Sequence, residues 1–371
     1  MTATDETGRI PASAAQSGHT RAERLGTIRK VWPWLFLTSM VMVFTIAAKV
    51  FNGTNFLNPS GIQSILVYAT QILLLALGET LIIIAAGIDL SVGFQLGLAG
   101  VVAAQIMQPL YAHDVAPAVT IGLGMLGGIL VCVIPGWLNG VLVARVKVPP
   151  FIATLGVGWV AFGAALLISG GYPVAKQPAY LGQLGNGYLF YIWPGHGVSF
   201  FTRPPTATPA DLPSITPLVP NVVIITIIVA LICWFVLSKT QFGQHIFAIG
   251  GNFEASMRAG IPVQRTLIKV YVIAGLLCGV AGVLWASRFS SGAANAGEVT
   301  LLMSIAAVVI GGASLFGGEG GIVGTIVGAL TIATIQFGLV VLGMKPFWQY
   351  IVIGIVVIVA VIIDQFGRAL G

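Results

Sequence analysis

The chain has 371 residues, 57% of them hydrophobic and 8% charged, with a net charge of +6. That composition excludes an ordinary soluble domain and places the chain among polytopic membrane proteins, so length does not count domains. The modest positive charge comes with no basic patch interleaved with aromatics, which excludes a nucleic-acid partner and leaves Lys and Arg as orientation signals.

Residues 1–30 read as a polar tail, with Arg21, Arg24, Arg29 and Lys30 just before the first apolar run. That run, Val31 to Ala48, is longer than the apolar core of a secretory signal and reads as an uncleaved anchor. A spanning helix needs about 20 mostly apolar residues. Ten segments qualify: 31–51, 62–87, 91–112, 115–143, 151–171, 219–238, 267–287, 299–316, 321–343 and 346–363. The expected fold is an all-α polytopic membrane protein with about ten transmembrane helices embedded in a lipid bilayer. Ten crossings return both termini to one side. With the N-terminus cytoplasmic, twelve of the seventeen basic residues fall inside, as the positive-inside rule requires. The layout is then a cytoplasmic tail (1–30), one transmembrane domain (31–365) and a cytoplasmic tail (366–371). Residues 172–218 form an external segment and 239–266 a cytoplasmic loop.

Within the second span Glu79 is the sharpest intramembrane charge, either a structural carboxylate bonded within the bundle or a point on a polar solute path. Asp89 and Ser91 follow where that span gives way to the third, at a position suited to an N-cap. Gln71, Gln95, Gln105, Asn139, Thr154 and Gln336 punctuate apolar helices, either as interhelical glue or as hydroxyl-binding groups along a path. Glycines recur at small-xxx-small spacing, as in Gly93/Gly97, Gly124/Gly128, Gly275/Gly279 and Gly324/Gly328, which predicts close helix packing within a bundle. Cys132, Cys233 and Cys278 lie in apolar runs without metal or redox spacing and read as packing residues, so no metal site is expected.

The segment 172–218 holds eight Pro and eight aromatics, fitting an interfacial cap lying against the headgroups or a contact for a partner outside the cell. The loop 239–266 carries a short polar helix: Asn252 as N-cap, Glu254 in the first turn and Gly260 at the left-handed end, stopped by Pro262. Arg288 and Glu298 share the external turn before the eighth span, open to pairing with each other or with a partner domain. Gly317-Gly318-Glu319-Gly320-Gly321 reads as a tight re-entrant turn. Two breaks look alike, Gly87-Ile-Asp-Leu-Ser-Val-Gly93 and Gly312-Ala-Ser314-Leu-Phe-Gly-Gly318, and suggest a parallel internal repeat.

Catalysis has little to stand on, and the chain reads as no enzyme. There is no phosphate-binding G-x-x-x-x-G-K-[ST], no HExxH, and no His within a predicted span.

The run Glu254-Ala255-Ser256-Met257-Arg258-Ala259-Gly260 resembles the cytoplasmic coupling loop of ABC importer permeases, with Ser256 where that pattern has a second Ala. Gly78-Glu79 through Asp89-Leu-Ser91-Val-Gly93 resembles the signature of the ribose-type, monosaccharide permeases of that class. Asn139-Gly140, Pro149-Pro150-Phe151-Ile152-Ala153-Thr154-Leu155-Gly156, Gly250-Gly251-Asn252 and Val309-Ile310-Gly311-Gly312-Ala313-Ser314 match as well. Ala85-Ala86 departs from the pattern, which often has Gly before Gly87. The resemblance implies a multi-pass permease of the bacterial inner membrane that dimerises, as a homodimer, and binds no cofactor itself. It implies a separate ABC ATPase subunit that hydrolyses the ATP, and a periplasmic sugar-binding protein that delivers a monosaccharide or polyol. Asn252, Glu254, Ala255, Arg258, Ala259 and Gly260 would couple to the ATPase. Glu79, Asp89, Ser91, Asn139, Thr154 and Ser314 are candidates for the translocation path or its gate. An ion-gradient-driven secondary transporter, with Glu79 or Asp89 as proton site, is the alternative.

Overall fold

The computed structural model describes residues 12–369 apart from 205 and 209; the outermost tail residues, 1–11 and 370–371, lie outside them. Helices dominate, because a backbone in hydrocarbon must satisfy every N–H and C=O internally. In chain order they are α1 (Ala12–Asn52), α2 (Pro59–Ile84), α3 (Val92–Ala112), α4 (Pro117–Val131), α5 (Val133–Val141) and α6 (Pro150–Ser169). Then follow α7 (Ala179–Asn186), α8 (Asn221–Lys239), α9 (Gln241–Gly251), α10 (Phe253–Arg258), α11 (Val263–Phe289), α12 (Glu298–Ile310), α13 (Ile322–Val341) and α14 (Pro346–Ala369).

Among the described residues, seven helical runs are long and apolar enough to cross a membrane: Val31–Asn52, α2, Pro117–Val146, α6, α8, α11 and α13. α3 has comparable length, but Gln95, Gln105 and Gln108 dilute its apolar character. α12 spans only 13 residues, because the glycine-rich turn ends it at Ile310, short of the expected 316. α1 begins well before the expected position 31 and runs through Pro33. The fourth run breaks at Cys132, where Pro135 has no N–H to offer the Val131 carbonyl, and ends in a π-helical turn, Leu142–Val146.

α2 is the axis of the bundle. It packs against α8, α11, α12 and α13, and 83% of an 18-residue apolar stretch of it is buried. Only 22% of such a stretch in Pro117–Val146 and 33% in α6 and α8 is buried, and apolar side chains there, such as Val160, Leu167 and Leu231, face outward. An apolar surface of that extent suits lipid and not water. The glycine pairs are spent inside the chain. A Cβ at Gly97 would overlap the Ala294 carbonyl oxygen, and one at Gly328 that of Ala307, so backbones meet there at a distance no side chain permits.

The all-α expectation fails in the segment after α6. Beyond α7, strands β1 (Tyr188–Trp193), β2 (Gly197–Phe200) and β3 (Thr216–Pro220) form an antiparallel sheet in the order β2-β1-β3. β1 is aromatic and β-branched throughout, which suits a half-buried pleated surface, and Phe190 meets Phe200 across the strands with ring centroids 5.2 Å apart. Tyr191, Trp193 and Ile215 form its own small core. Gln63 Nε2 of α2 donates to the Pro217 carbonyl at 2.7 Å and ties the sheet to the bundle. The segment is thus a folded layer.

Candidate functional site

The two similar breaks are the same structure. After α2, Ala86 N–H donates to the Ile83 carbonyl and Gly87 N–H to that of Ile82; after α12, Gly312 N–H donates to Val309 and Ala313 N–H to Val308. Both are left-handed helix ends of Schellman type, with φ +63° at Ala86 and +88° at Gly312. Matching caps pairs Ala86 with Gly312, one place from the alignment of Gly87 with Gly312 that composition suggests. The breaks also touch: Gly318 N–H donates to the Ile84 carbonyl at 2.8 Å, and a Cβ on Gly317 would come within 2.7 Å of Ala86 Cβ. The expected tight turn at 317–321 is present, with left-handed Gly317, Gly318 and Gly320 and a Ser314 N–H to Glu319 carbonyl bond of 3.0 Å.

Inside the first break lies a buried polar cluster. Asp89, Ser91, Gln95 and Asn139 are all fully buried, and Ser91 is their hub. Its N–H donates to Asp89 Oδ1 at 2.7 Å, and its hydroxyl donates to the same oxygen. Gln95 Nε2 and Asn139 Nδ2 donate to Ser91 Oγ at 2.6 and 2.8 Å. One donor and two acceptor positions exhaust what a hydroxyl can do. The expected N-cap is therefore corrected: Ser91 gives α3 no side-chain cap, because its hydroxyl is committed to joining the break, α3 and α5. Thr154 works similarly, accepting from Leu90 N–H at 3.0 Å and donating to the Pro150 carbonyl at 2.9 Å, which fastens the start of α6 to the break.

Glu79 sits one helical stretch above, fully buried, with neither carboxylate oxygen hydrogen-bonded. It faces the Asp89 backbone N–H outside bonding geometry and lies within electrostatic range of Tyr271, whose buried hydroxyl is also unpartnered. Tyr271 was not singled out by the sequence; one tyrosine in an apolar helix carries no local signal. Ser314 lies in the second break, where its Oγ accepts from Phe316 N–H at 3.2 Å.

The loop 239–266 holds two helices instead of one. Thr240 caps α9, which buries Ile246 and Ile249. At its end, a Cβ on Gly250 would overlap the Ile84 carbonyl oxygen and come within 2.6 Å of Gly318 N. Gly250 is thus wedged against both breaks at once. The chain then turns into α10: Asn252 Oδ1 accepts from Ala255 N–H at 2.8 Å, Glu254 and Arg258 stand 4.0 Å apart, and Ala259 ends the helix before Gly260 at φ +79°. Ser256 is buried, while Phe253 and Met257 are about half exposed. Six residues of helix therefore leave two apolar side chains partly bare, Phe253 at the rim of a cleft shared with Ala85, Ala86 and Tyr271.

At the opposite end, Arg288 does not pair with Glu298. Its guanidinium lies 5.6 Å from the centre of the Tyr68 ring, and its carbonyl accepts from Asn186. The three cysteines are free and buried, as packing residues should be.

The family model described as "Branched-chain amino acid transport system / permease component" matches residues 61–361. The chain is 36% identical over 340 residues to the ribose import permease protein of Bacillus subtilis, covering 92% of this chain and 94% of that one. It is 34% identical over 334 residues to the fructose import permease protein of Rhizobium meliloti (89% and 84% covered), and 32% over 337 residues to the galactose/methyl galactoside import permease protein of Escherichia coli (89% and 94%). No solved structure matches.

Proposed function

The chain belongs to the family of branched-chain amino acid transport system permease components, and on that premise we propose that it is the multi-pass inner-membrane permease of an ATP-driven importer for a monosaccharide or polyol. The observation that carries the choice of sugar is the end-to-end likeness to ribose, fructose and galactose import permeases, about nine-tenths of each chain in two cases of three. ATP is used by a partner subunit. A solute-binding protein on the far side of the membrane supplies the cargo.

In this reading ten crossings place both termini and the 239–266 loop in the cytoplasm, within one transmembrane domain from 31 to 365. α10 docks on the ATPase subunit: Asn252 and Ala255 fix its start, Ala259 and Gly260 its end, and Glu254 and Arg258 its charged flank. Phe253 and Met257 supply the apolar contact, which their exposure supports. Two copies, as a homodimer, enclose the path. When the ATPase pair closes, α10 is displaced, and the Gly250 wedge carries the displacement into both breaks together. Asp89, Ser91, Asn139, Thr154 and Ser314 then act as the gate-side hinge, joining α3, α5 and α6 to breaks that must move as bodies. Full burial of the first four supports a hinge over direct contact with solute. Glu79 lies beside that hinge on the central helix.

Reconstitution tests the reading. Proteoliposomes holding this chain, its ATPase subunit and its binding protein should accumulate a pentose or hexose only with ATP inside, and an uncoupler should leave uptake intact. Uptake by the chain alone, or uptake abolished by the uncoupler, overturns it.

A further inference from the structure

At the end of the bundle opposite α10, a cleft of about 420 Å³ opens between the start of α2, the end of α11, α13 and the sheet. That volume falls in the range of small-molecule sites, about 300–1,000 Å³. Its walls combine aromatic rings, Tyr68, Tyr188 and Phe337, with the polar ends of Arg288, Gln63 and Asn186. Two of the rings sit together, Tyr68 and Phe337, with centroids 6.3 Å apart. Arg288 is held in place by its packing over Tyr68 and Phe289 and by the Asn186 bond to its carbonyl, yet its guanidinium has no hydrogen-bond or carboxylate partner among the described residues. A planar, five-donor group held rigidly with its donors unspent is set to receive oxygen acceptors.

The free valences in the cleft are mixed. Arg288 and the tyrosine hydroxyls donate. Gln63 and Asn186 each give one amide N–H to a backbone carbonyl, of Pro217 and of Arg288, and keep one N–H as a donor and the amide oxygen as an acceptor. An anion only accepts, so it would leave both amide oxygens without a donor. A hydroxyl both donates and accepts, and the C–H face of a sugar ring lies well on an aromatic ring.

We propose that the cleft bounded by Tyr68, Tyr188, Asn186 and Arg288 is a weak binding site for an uncharged monosaccharide, a landing place on the permease itself before the solute enters the membrane path. The proposal rests on the sugar-import reading and adds a site to it. Because Arg288 closes α11 and Tyr68 lies on the central helix, occupancy would bear on two elements that run the length of the bundle to the breaks.

The test uses the full chain in nanodiscs without its partners, with D-ribose, D-fructose and D-galactose as probes and saturation-transfer NMR as readout. At least one sugar should give a saturable signal. Arg288→Met should weaken it about tenfold, the loss of one hydrogen bond to a charged donor. Tyr68→Leu should do the same through lost ring contact; retained melting temperature in either variant keeps the comparison valid. No sugar signal, a signal unchanged in both variants, or displacement of the sugar by inorganic phosphate overturns the site. Uptake by the reconstituted wild-type complex is measured in parallel: uptake without binding to the isolated chain discards the cleft and leaves the import reading standing, whereas absent uptake of every sugar discards the import reading.

Discussion

Gly318 donates its backbone N–H to the carbonyl of Ile84 at 2.8 Å, joining two helix breaks that lie far apart in sequence. Gly250, at the end of α9, closes on the same carbonyl so tightly that no Cβ fits. Three segments therefore share one point of backbone contact, directly before the short helix proposed to meet the ATPase. Backbone contacts of this kind do not yield by rotating a side chain, so displacement at one segment reaches the others.

Gly250→Ala should accordingly cost about 1–3 kcal/mol, the usual range for overpacking, and reduce uptake while the chain still inserts. Gly251→Ala is the internal control, since nothing lies within 4 Å of a Cβ there. Melting temperature and ATP-dependent uptake of both variants check this. Equal behaviour of the two would show that the wedge carries no displacement.

Breaking α10 should abolish uptake without harming the bundle. The Glu254–Arg258 contact is exposed on both sides and 4.0 Å long, so Glu254→Lys should change stability little and act on docking alone. Gly260→Pro removes both the left-handed end and the N–H given to the Met257 carbonyl. Loss of ATPase subunit from affinity-purified complexes, with normal permease yield, is the expected result. Normal ATPase binding and normal uptake in both variants would mean that the subunits meet elsewhere.

Ser91 and Glu79 should respond oppositely to removal of polar function. Ser91→Ala strips one hydroxyl, orphans Gln95 Nε2 and Asn139 Nδ2 in a dry interior, and leaves Asp89 Oδ1 with the backbone N–H of residue 91 as its donor, at a cost of about 2 kcal/mol or more. Glu79 has no hydrogen bond to lose, and a neutral solute needs no charge, so Glu79→Gln should leave both melting temperature and uptake close to the parent. Complete loss of uptake in folded Glu79→Gln protein would reopen a proton-coupled mechanism.

The long helices were legible because hydrocarbon demands runs of about 20 apolar residues, and glycine and proline mark where such runs stop. The sheet was not. Residues 188–220 carry thirteen aromatic and proline positions with no alternation that separates two faces, and β3 meets β1 only across 22 residues of intervening chain. Ser91 as a hub was equally hidden, since its bond to Asn139 joins residues 48 apart, and nothing local distinguishes it from an N-cap. Gly250 stands out in the sequence only within the Gly250-Gly251-Asn252 match. Its constraint comes from Ile84 and Gly318, and only the packed bundle brings those together.

Ala86 offers a test of the repeat that does not depend on transport. It holds φ +63° at the place where the second break has Gly312 at +88°. An L-residue with a Cβ pays about 1–2 kcal/mol for that conformation, whereas glycine loses about 0.4–1 kcal/mol through the wider freedom of its unfolded chain. Ala86→Gly should therefore be neutral to mildly stabilising, by up to about 1 kcal/mol. It also removes the Cβ that a substituted Gly317 would meet at 2.7 Å. Gly312→Ala runs the exchange backwards and should destabilise by about 1 kcal/mol. The double variant moves the strained alanine from one break to the other and should fall near the parent protein, because the two caps have the same hydrogen-bond pattern. Thermal unfolding of the three variants in one lipid composition decides it. A large destabilisation by Ala86→Gly, or none by Gly312→Ala, would mean that the two helix ends are alike in form but not in what holds them.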